Sequence, residues 1–475
     1  MDRMQVVSAK ERFVFGQERR KQIKRLHHGT WTAETRRESP LKLLEVSTRG
    51  RVPSLVTLKK ELMAASPFGY FRGAVPVMAY DLSLMANTGI STQLCGDAHV
   101  RNLGAFAGPD GRLVFDINDF DETIVAPFEW DVKRMATSLV LAGRAAGAKD
   151  LHCRESTALF TERYRTMMHV FSRMSVLQVA KYQVHRLGNV SPVAGILRMA
   201  ERATPMHTLL TLTEEQGQIP TAKKKGVKAT KSSKSIDRPQ RVFRTIPPNL
   251  KRLTGAMAEQ VVGSLTMYAE SLQPERRHFL AQYRPMDVAF KVVGTGSVGL
   301  RDYVVFLEGN GAKDPLFLQI KEEVASAYAP YVAGALKGQE RKRRRGQHEG
   351  QRVVNGERAM QLQSDPFLGW TTMEGRDYLV RQLNDHKASI QLEDLKSAGL
   401  LEYAGVCGEM LARGHARAGD SAMIAGYVGT STRFDDAVGK FAESYADQTE
   451  VDWKELVKSM KPMKSMKTKR KEGAK

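Results

Sequence analysis

The sequence predicts an α+β fold of two lobes, a large helical one and a small, mainly β one. Three observations carry this. The chain has 475 residues, more than one ordinary hydrophobic core needs. Its texture changes near residue 285: apolar residues recur at helical spacing before that point, and β-branched runs alternate with Gly-rich turns after it. The charge is also segregated. The net +21 arises in segments 222–252, 337–345 and 458–475, which carry +10, +5 and +7 and leave the remainder at −1. Runs of this kind read as solvated loops and a disordered tail, not as a folded basic face. Their charge alone attracts nucleic acid or anionic surfaces non-specifically. No interleaving of aromatic and basic residues accompanies it to indicate dedicated recognition.

Residues 1–95 read as helices and short connections, with "SPFGYFRGA" (66–74) as an aromatic-rich turn. Residues 96–122 read as loop, strand, loop. A buried helix starts near Trp130, and further helices follow to about 215. The Lys/Ser/Pro-rich stretch after 217 breaks that pattern. From 285, "DVAFKVVGTGSVGLRDYVVFLEGNGAKDPLFLQIKEE" reads as strand, glycine turn, strand, hairpin, strand, and "DYLVRQLND" (377–385) as another strand. Residues 400–419 and 434–460 are helical. The expected organisation is therefore 1–284 as the helical part of the large lobe, with 217–252 as a basic linker. Residues 285–385 form the small lobe, 386–457 return to the large lobe, and 458–475 form the tail. Cys95, Cys153 and Cys407 form no CxxC or zinc pattern, and nowhere do eighteen apolar residues run together. With no signal peptide in the first 25 residues, the expectation is a soluble cytoplasmic protein without a membrane span.

"QLCGDAHVRNLG" (93–104) places Asp97 five positions before Asn102, with His99 between them. In a phosphotransferase loop an Asp at this spacing orients the attacking hydroxyl and the Asn reaches a metal. His99 is suited to contact phosphate or to hold the loop. Taken alone, the same residues also suit a polar turn closed by an Asx hydrogen bond. "VFDINDFDE" then supplies Asp116, Asp119 and Asp121 at a strand end, and hard cations such as Mg2+ take one or two carboxylates plus phosphates.

"GTGSVG" contains Gly294, Gly296, Ser297 and Gly299. A dinucleotide site needs the last glycine to open a helix, whereas here an apolar β-branched run follows and ends in Gly-Asn-Gly, a hairpin signal. A glycine turn between two strands is the arrangement that covers ATP phosphates in kinases. The next strand ends at Lys321, placed to pair with those phosphates. Arg301 stands where kinases usually carry Val. Glu340, Glu349 and Glu357 are the alternatives for a helix glutamate opposite Lys321. "YLVRQLND" is read as the connection between lobes, offering backbone groups to adenine.

"GDAHVRN", "VFDINDFDE" and "PFEWDVKRMA" together resemble the aminoglycoside and choline phosphotransferase branch of the protein-kinase-like superfamily. The resemblance implies Asp97 as catalytic base, Asn102 as a magnesium ligand, Asp119 as the second metal ligand with Asp116 its rival, and Asp131 as the structural Asp opening the next helix. Cys95 stands where that branch has His. Over about residues 60–450 the chain more closely resembles the bacterial family named domain of unknown function 2252. The shared stretches include "SPFGYFRGA", "QLCGDAHVRNLG", "GTGSVGLRDYVV", "YLVRQLND" and "ARGHARAGD".

In ordinary kinases the glycine loop and lysine precede the catalytic loop, and here they follow it. "CGEMLARGHARAGD" (407–420) resembles the helix that leads into a catalytic loop, but Ala425 stands where the Asn would be. The expectation is a protein-kinase-like fold with circularly permuted connectivity, possible where chain ends lie close together at the surface. It requires Lys321 and Asp119 to converge within about 15 Å. The implied function is ATP- and Mg2+-dependent phosphoryl transfer to a small-molecule hydroxyl. The alternatives are nucleotidyl transfer on the same fold, or a non-catalytic nucleotide-binding protein whose basic arms contact nucleic acid.

Overall fold

Residues 7–184, 187–216, 240–292, 294, 296–332, 346–383 and 387–460 are described by the structure, a computed structural model. Most of the basic stretches, Glu340, Asn384 and Asp385 lie outside these residues.

The segment read as loop, strand, loop contains two strands. β1 (Ser91–Leu94) enters the His/Asp/Asn loop, and β2 (Leu103–Ala107) and β3 (Leu113–Ile117) form an antiparallel hairpin after it. β4 (Ile124–Pro127) returns to pair with β1, so the loops 95–102 and 118–123 emerge side by side. "SPFGYFRGA" is not a turn but the short helix Pro67–Gly73. Its start is chemically marked: Ser66 Oγ accepts the Gly69 N–H at 2.9 Å, and Pro67 occupies the first helical position, where no N–H is needed.

β5 (Thr213–Glu215) and β6 (Arg241–Phe243) pair outside the main sheet. That sheet has six antiparallel strands, β7 (Leu250–Leu253), β8 (Arg284–Lys291), β9 (Asp302–Glu308), β10 (Pro315–Glu323), β11 (Gly369–Met373) and β12 (Arg376–Gln382), in the order β11-β12-β10-β9-β8-β7. β7 comes from the stretch read as a linker, and Val261, Tyr268 and Leu280, from helices between 256 and 280, pack on the sheet with Val305, Leu307, Leu318 and Ile320. The opposite face buries Val304, Phe306 and Phe317 with Leu209 and Phe243. Both faces are covered, so β9 reads as a continuous apolar run and not as an alternating one. Period two puts Gln319 and Lys321 opposite Leu318 and Ile320, and so aims them at the loops of β1–β4.

Asp302 opens β9 fully buried; Oδ2 accepts from Gln319 Nε2 at 2.6 Å, and Oδ1 has no hydrogen-bond partner among the described residues. Burial, opposed by Lys291 and Lys321, raises its carboxyl from 3.8 to about 7. Between these values the folded protein holds a proton that the unfolded chain has released, so this group lowers stability as pH rises through that window. Asp302→Asn is expected to raise the unfolding temperature at pH 8 and to do so much less at pH 5. Equal gains at both pH values in thermal melts would exclude the burial account.

The large core is built on the helix Glu129–Ala145, buried almost all round although it carries Glu129, Asp131, Lys133 and Arg134, and packed by the helices Asp150–Phe171, Ala398–Ala418 and Arg433–Met460. The chain after 398 thus returns to the core begun before 150. The last of these helices runs through Met460, beyond the expected start of the tail at 458. The helix Ala9–Gln22 lies on Ser421–Val428, where a Cβ on Gly16 would stand 2.0 Å from the Met423 carbonyl oxygen. β13 (Ala388–Ser389) adds to β2. All three cysteines are free and buried, and among the described residues no helix is long and apolar enough to cross a membrane.

Candidate functional site

A cavity of about 620 Å³ lies between the six-stranded sheet and the loops of β1–β4. Asp97, Asp119, Asp121, Glu122, Gly294, Gly296, Ser297 and Lys321 all line it, joined by Arg51, Lys59 and Arg72 from the early helices.

The 95–102 loop is held from below. Asp131, in the first turn of its helix, accepts the N–H groups of Cys95 at 2.8 Å and Gly96 at 3.0 Å. The Cys95 thiol also points at Asp131 Oδ2, at 3.3 Å, and burial, reinforced by Asp131, pushes its pKa well up. Cys95 is therefore a neutral support, and the imidazole against Asp131 comes from His415 in the late helix, also 3.3 Å away. Gly96 has φ +84°, with the Glu122 carbonyl 2.1 Å from where a Cβ would be, which only glycine tolerates.

Asn102 ties the two acidic loops together. Its Nδ2 donates to the carbonyls of Asp97 (3.0 Å) and Asp119 (2.9 Å), and its Oδ1 accepts the Asp119 N–H at 2.6 Å. Arg134, buried over the Phe71 ring and bonded to the Phe71 carbonyl, donates twice to Asp97 Oδ1, from Nε at 2.8 Å and Nη2 at 2.5 Å. That leaves Asp97 Oδ2 free of Arg134, 3.6 Å from His99 Nε2. His99 Nδ1 accepts the Arg101 N–H. Burial, which outweighs Asp97, lowers the His99 pKa to about 3, so the imidazole is uncharged at neutral pH.

Lys321 meets the acidic segment across 200 residues of chain. Its Nζ pairs with Asp121 Oδ2 and lies 3.9 Å from Asp119 Oδ1, well inside the convergence distance the sequence demanded. Ser297 Oγ donates to Asp121 Oδ2 at 2.7 Å and draws the glycine turn onto the same carboxylate. Lys59 Nζ bonds the Gly296 carbonyl at 2.6 Å, Arg51 bonds that of Val298 at 2.7 Å, and the Val52 N–H bonds that of Gly299, whose φ is +96°. Burial alone would raise Asp119, but Lys321 and neighbouring cations hold it well below the usual carboxylate range. Asp121 is raised, first by burial and then by the Asp119 charge. The same two aspartates outweigh burial and keep Lys321 charged.

Asp116 is elsewhere. It is fully buried in β3, paired with Arg413 and accepting the Leu362 N–H at 3.1 Å, and it does not line the cavity. Of the two rivals, Asp119 lines the cavity and Asp116 does not. Among the described residues, Lys321 has aspartates, not a helix glutamate, as its ion-pair partners. Glu349 pairs with Arg352, and the buried Glu357, raised to about 7 by burial, lies near Arg381 and Lys387. Arg301 pairs with Glu322 at 3.0 Å. The N–H groups offered to adenine are in use: that of Gln382 donates to Asp365 and that of Leu383 to the Phe317 carbonyl. Arg72, Arg134 and His415 were absent from the sequence-derived site, and Asp121 entered it only as a member of the acidic cluster, with no role of its own.

Among the described residues no three His, Cys, Asp or Glu side chains form a metal cage. A cation here would take one or two carboxylates, Asp119 foremost, and complete its shell from phosphate and water, as Mg2+ does. Two oxygens suit such a ligand: among the described residues, Asp121 Oδ1 and Glu323 Oε1 are buried without a hydrogen-bond partner, and both residues line the cavity. No curated protein matches the chain, and no solved structure matches it. A family model described as an uncharacterized protein conserved in bacteria (DUF2252) matches residues 51–459, a span that holds Asp97, Asp119, the glycine turn and Lys321, and the chain belongs to that family.

Proposed function

We propose that the protein is an ATP- and magnesium-dependent phosphotransferase acting on a small-molecule hydroxyl, with a kinase-like fold in permuted order. The observation that carries this is the meeting of Lys321 and Ser297 with Asp119 and Asp121 at the cavity that Asp97 also lines. The permuted order is supported by the return of residues 398–460 to the core that holds the Asp97 loop.

Bound MgATP would supply the phosphoryl group and take up the electron pair of the broken P–O bond as ADP. Lys321 and the glycine turn are placed to hold its phosphates, and Asp119 to hold the metal. Asp97 Oδ2 takes the acceptor's hydroxyl proton, while Arg134 fixes the other oxygen and so the carboxylate's orientation. Asn102 keeps Asp97 and Asp119 at constant separation by bonding the backbone of both. It acts as a brace, with its amide oxygen already engaged.

Saturating MgATP is expected to raise the unfolding temperature by several degrees, since a ligand at 100 times its Kd contributes about 2.7 kcal/mol. Lys321→Met should abolish the rise. No rise in the wild-type protein would count against both ATP-using readings, and release of pyrophosphate in place of ADP would select nucleotidyl transfer.

A further inference from the structure

A second chamber, of about 390 Å³, opens beside the first, and the two share Arg72, Asp119, Arg381 and Lys387. Its own walls include His99, Arg101, Asn102 and Gln391. Four of its lining residues are cationic and one, Asp119, is anionic, and Lys321 already faces that carboxylate.

We infer that this chamber seats the acceptor and that the acceptor is an anion, a small hydroxyl compound carrying a phosphate or carboxylate group. The inference rests on the phosphotransferase reading for the word acceptor, and on the chamber alone for the charge. Arg101 Nε is buried without a hydrogen-bond partner, and neither Arg101 nor Lys387 forms an ion pair among the described residues. Burial, and then Arg381, push the Lys387 ammonium down to about 7; burial, and then Arg101, lower Arg72. Asp119 and Glu357 offset only part of this charge, and an excess of like charge held together is costly. A carboxylate or phosphate would relieve that cost, and the planar guanidinium of Arg101 suits either by paired N–H donation. The volume suits a small molecule. Polycationic acceptors, which the aminoglycoside resemblance would suggest, meet repulsion here.

The test uses the full chain without nucleotide and compares binding of inorganic phosphate, glucose 6-phosphate, gluconate, glucose and glucosamine by calorimetry. At least one anion should bind ten times more tightly than glucose and glucosamine, and which anion does so separates phosphate from carboxylate recognition. Arg101→Gln, at a residue that lines only the second chamber, should remove that preference, and Lys59→Met, at a residue that lines only the first, should keep it. The inference is overturned if no anion is preferred, or if the preference survives Arg101→Gln and disappears in Lys59→Met. Loss of the ATP reading alone, by the thermal-shift test, would leave an anion site with no phosphotransferase role.

Discussion

Asp97→Asn is expected to slow ADP formation by roughly 10²–10⁴-fold, the usual contribution of a positioned general base, with little change in MgATP binding. The substitution is well suited to the geometry. The Asn oxygen can still accept from Arg134, so the loop stays in place, while the oxygen 3.6 Å from His99 is replaced by an NH₂ that cannot take a proton. His99, uncharged and bonded to the Arg101 N–H, is not a substitute base of matching strength. Until the acceptor is identified, slow ATP hydrolysis, with water as acceptor, provides the readout. An Asp97→Asn variant that hydrolyses ATP within threefold of wild type would remove Asp97 from the catalytic role.

Arg413→Met is expected to cost about 3–5 kcal/mol, the usual price of leaving one member of a buried ion pair alone. Asp116 and Arg413 are both almost wholly shielded from water, so the remaining carboxylate cannot be hydrated in place. Adding Asp116→Asn should recover most of the loss, because the amide oxygen still accepts the Leu362 N–H and no charge remains. MgATP binding by that double variant should match wild type, since Asp116 lies outside the cavity. Urea unfolding of the three proteins decides the matter. A single variant losing under 1 kcal/mol, or a double variant no better than the single, would show that the pair is not what stabilises β3.

Local structure was legible in the sequence, and of the long-range pairings only the approach of Lys321 to Asp119 was expected. The strands around "GTGSVG" and the helix from Trp130 were readable because apolar period and turn residues are properties of adjacent positions. So were Asp97, Asn102 and Lys321 as candidates that meet at one place, since they sit in short motifs of fixed spacing. The choice between Asp116 and Asp119 was open because both follow the same apolar run. Only the ladder decides it: Asp116 is opposite Gly104 within β3, while Asp119 lies beyond the strand's end. Nothing near Asp97 announces Arg134, nor does anything near Asp131 announce His415, since each pairing is created by packing. The helix Pro67–Gly73 escaped because glycine and aromatic residues outweighed the Ser66-Pro67 start signal.

The partners of Asp116 and Asp131 also set an order of events during synthesis. Arg413 follows Asp116 by 297 positions and His415 follows Asp131 by 284. At roughly 5–20 residues per second, a ribosome delivers them some 15–60 s later. During that interval the first half of the chain cannot complete its core, whereas the six-stranded sheet, drawn from residues 250–382, has all its strands available sooner. The six-stranded sheet should therefore be the first unit to resist protease on stalled nascent chains, and the earlier-made half should depend longest on chaperones.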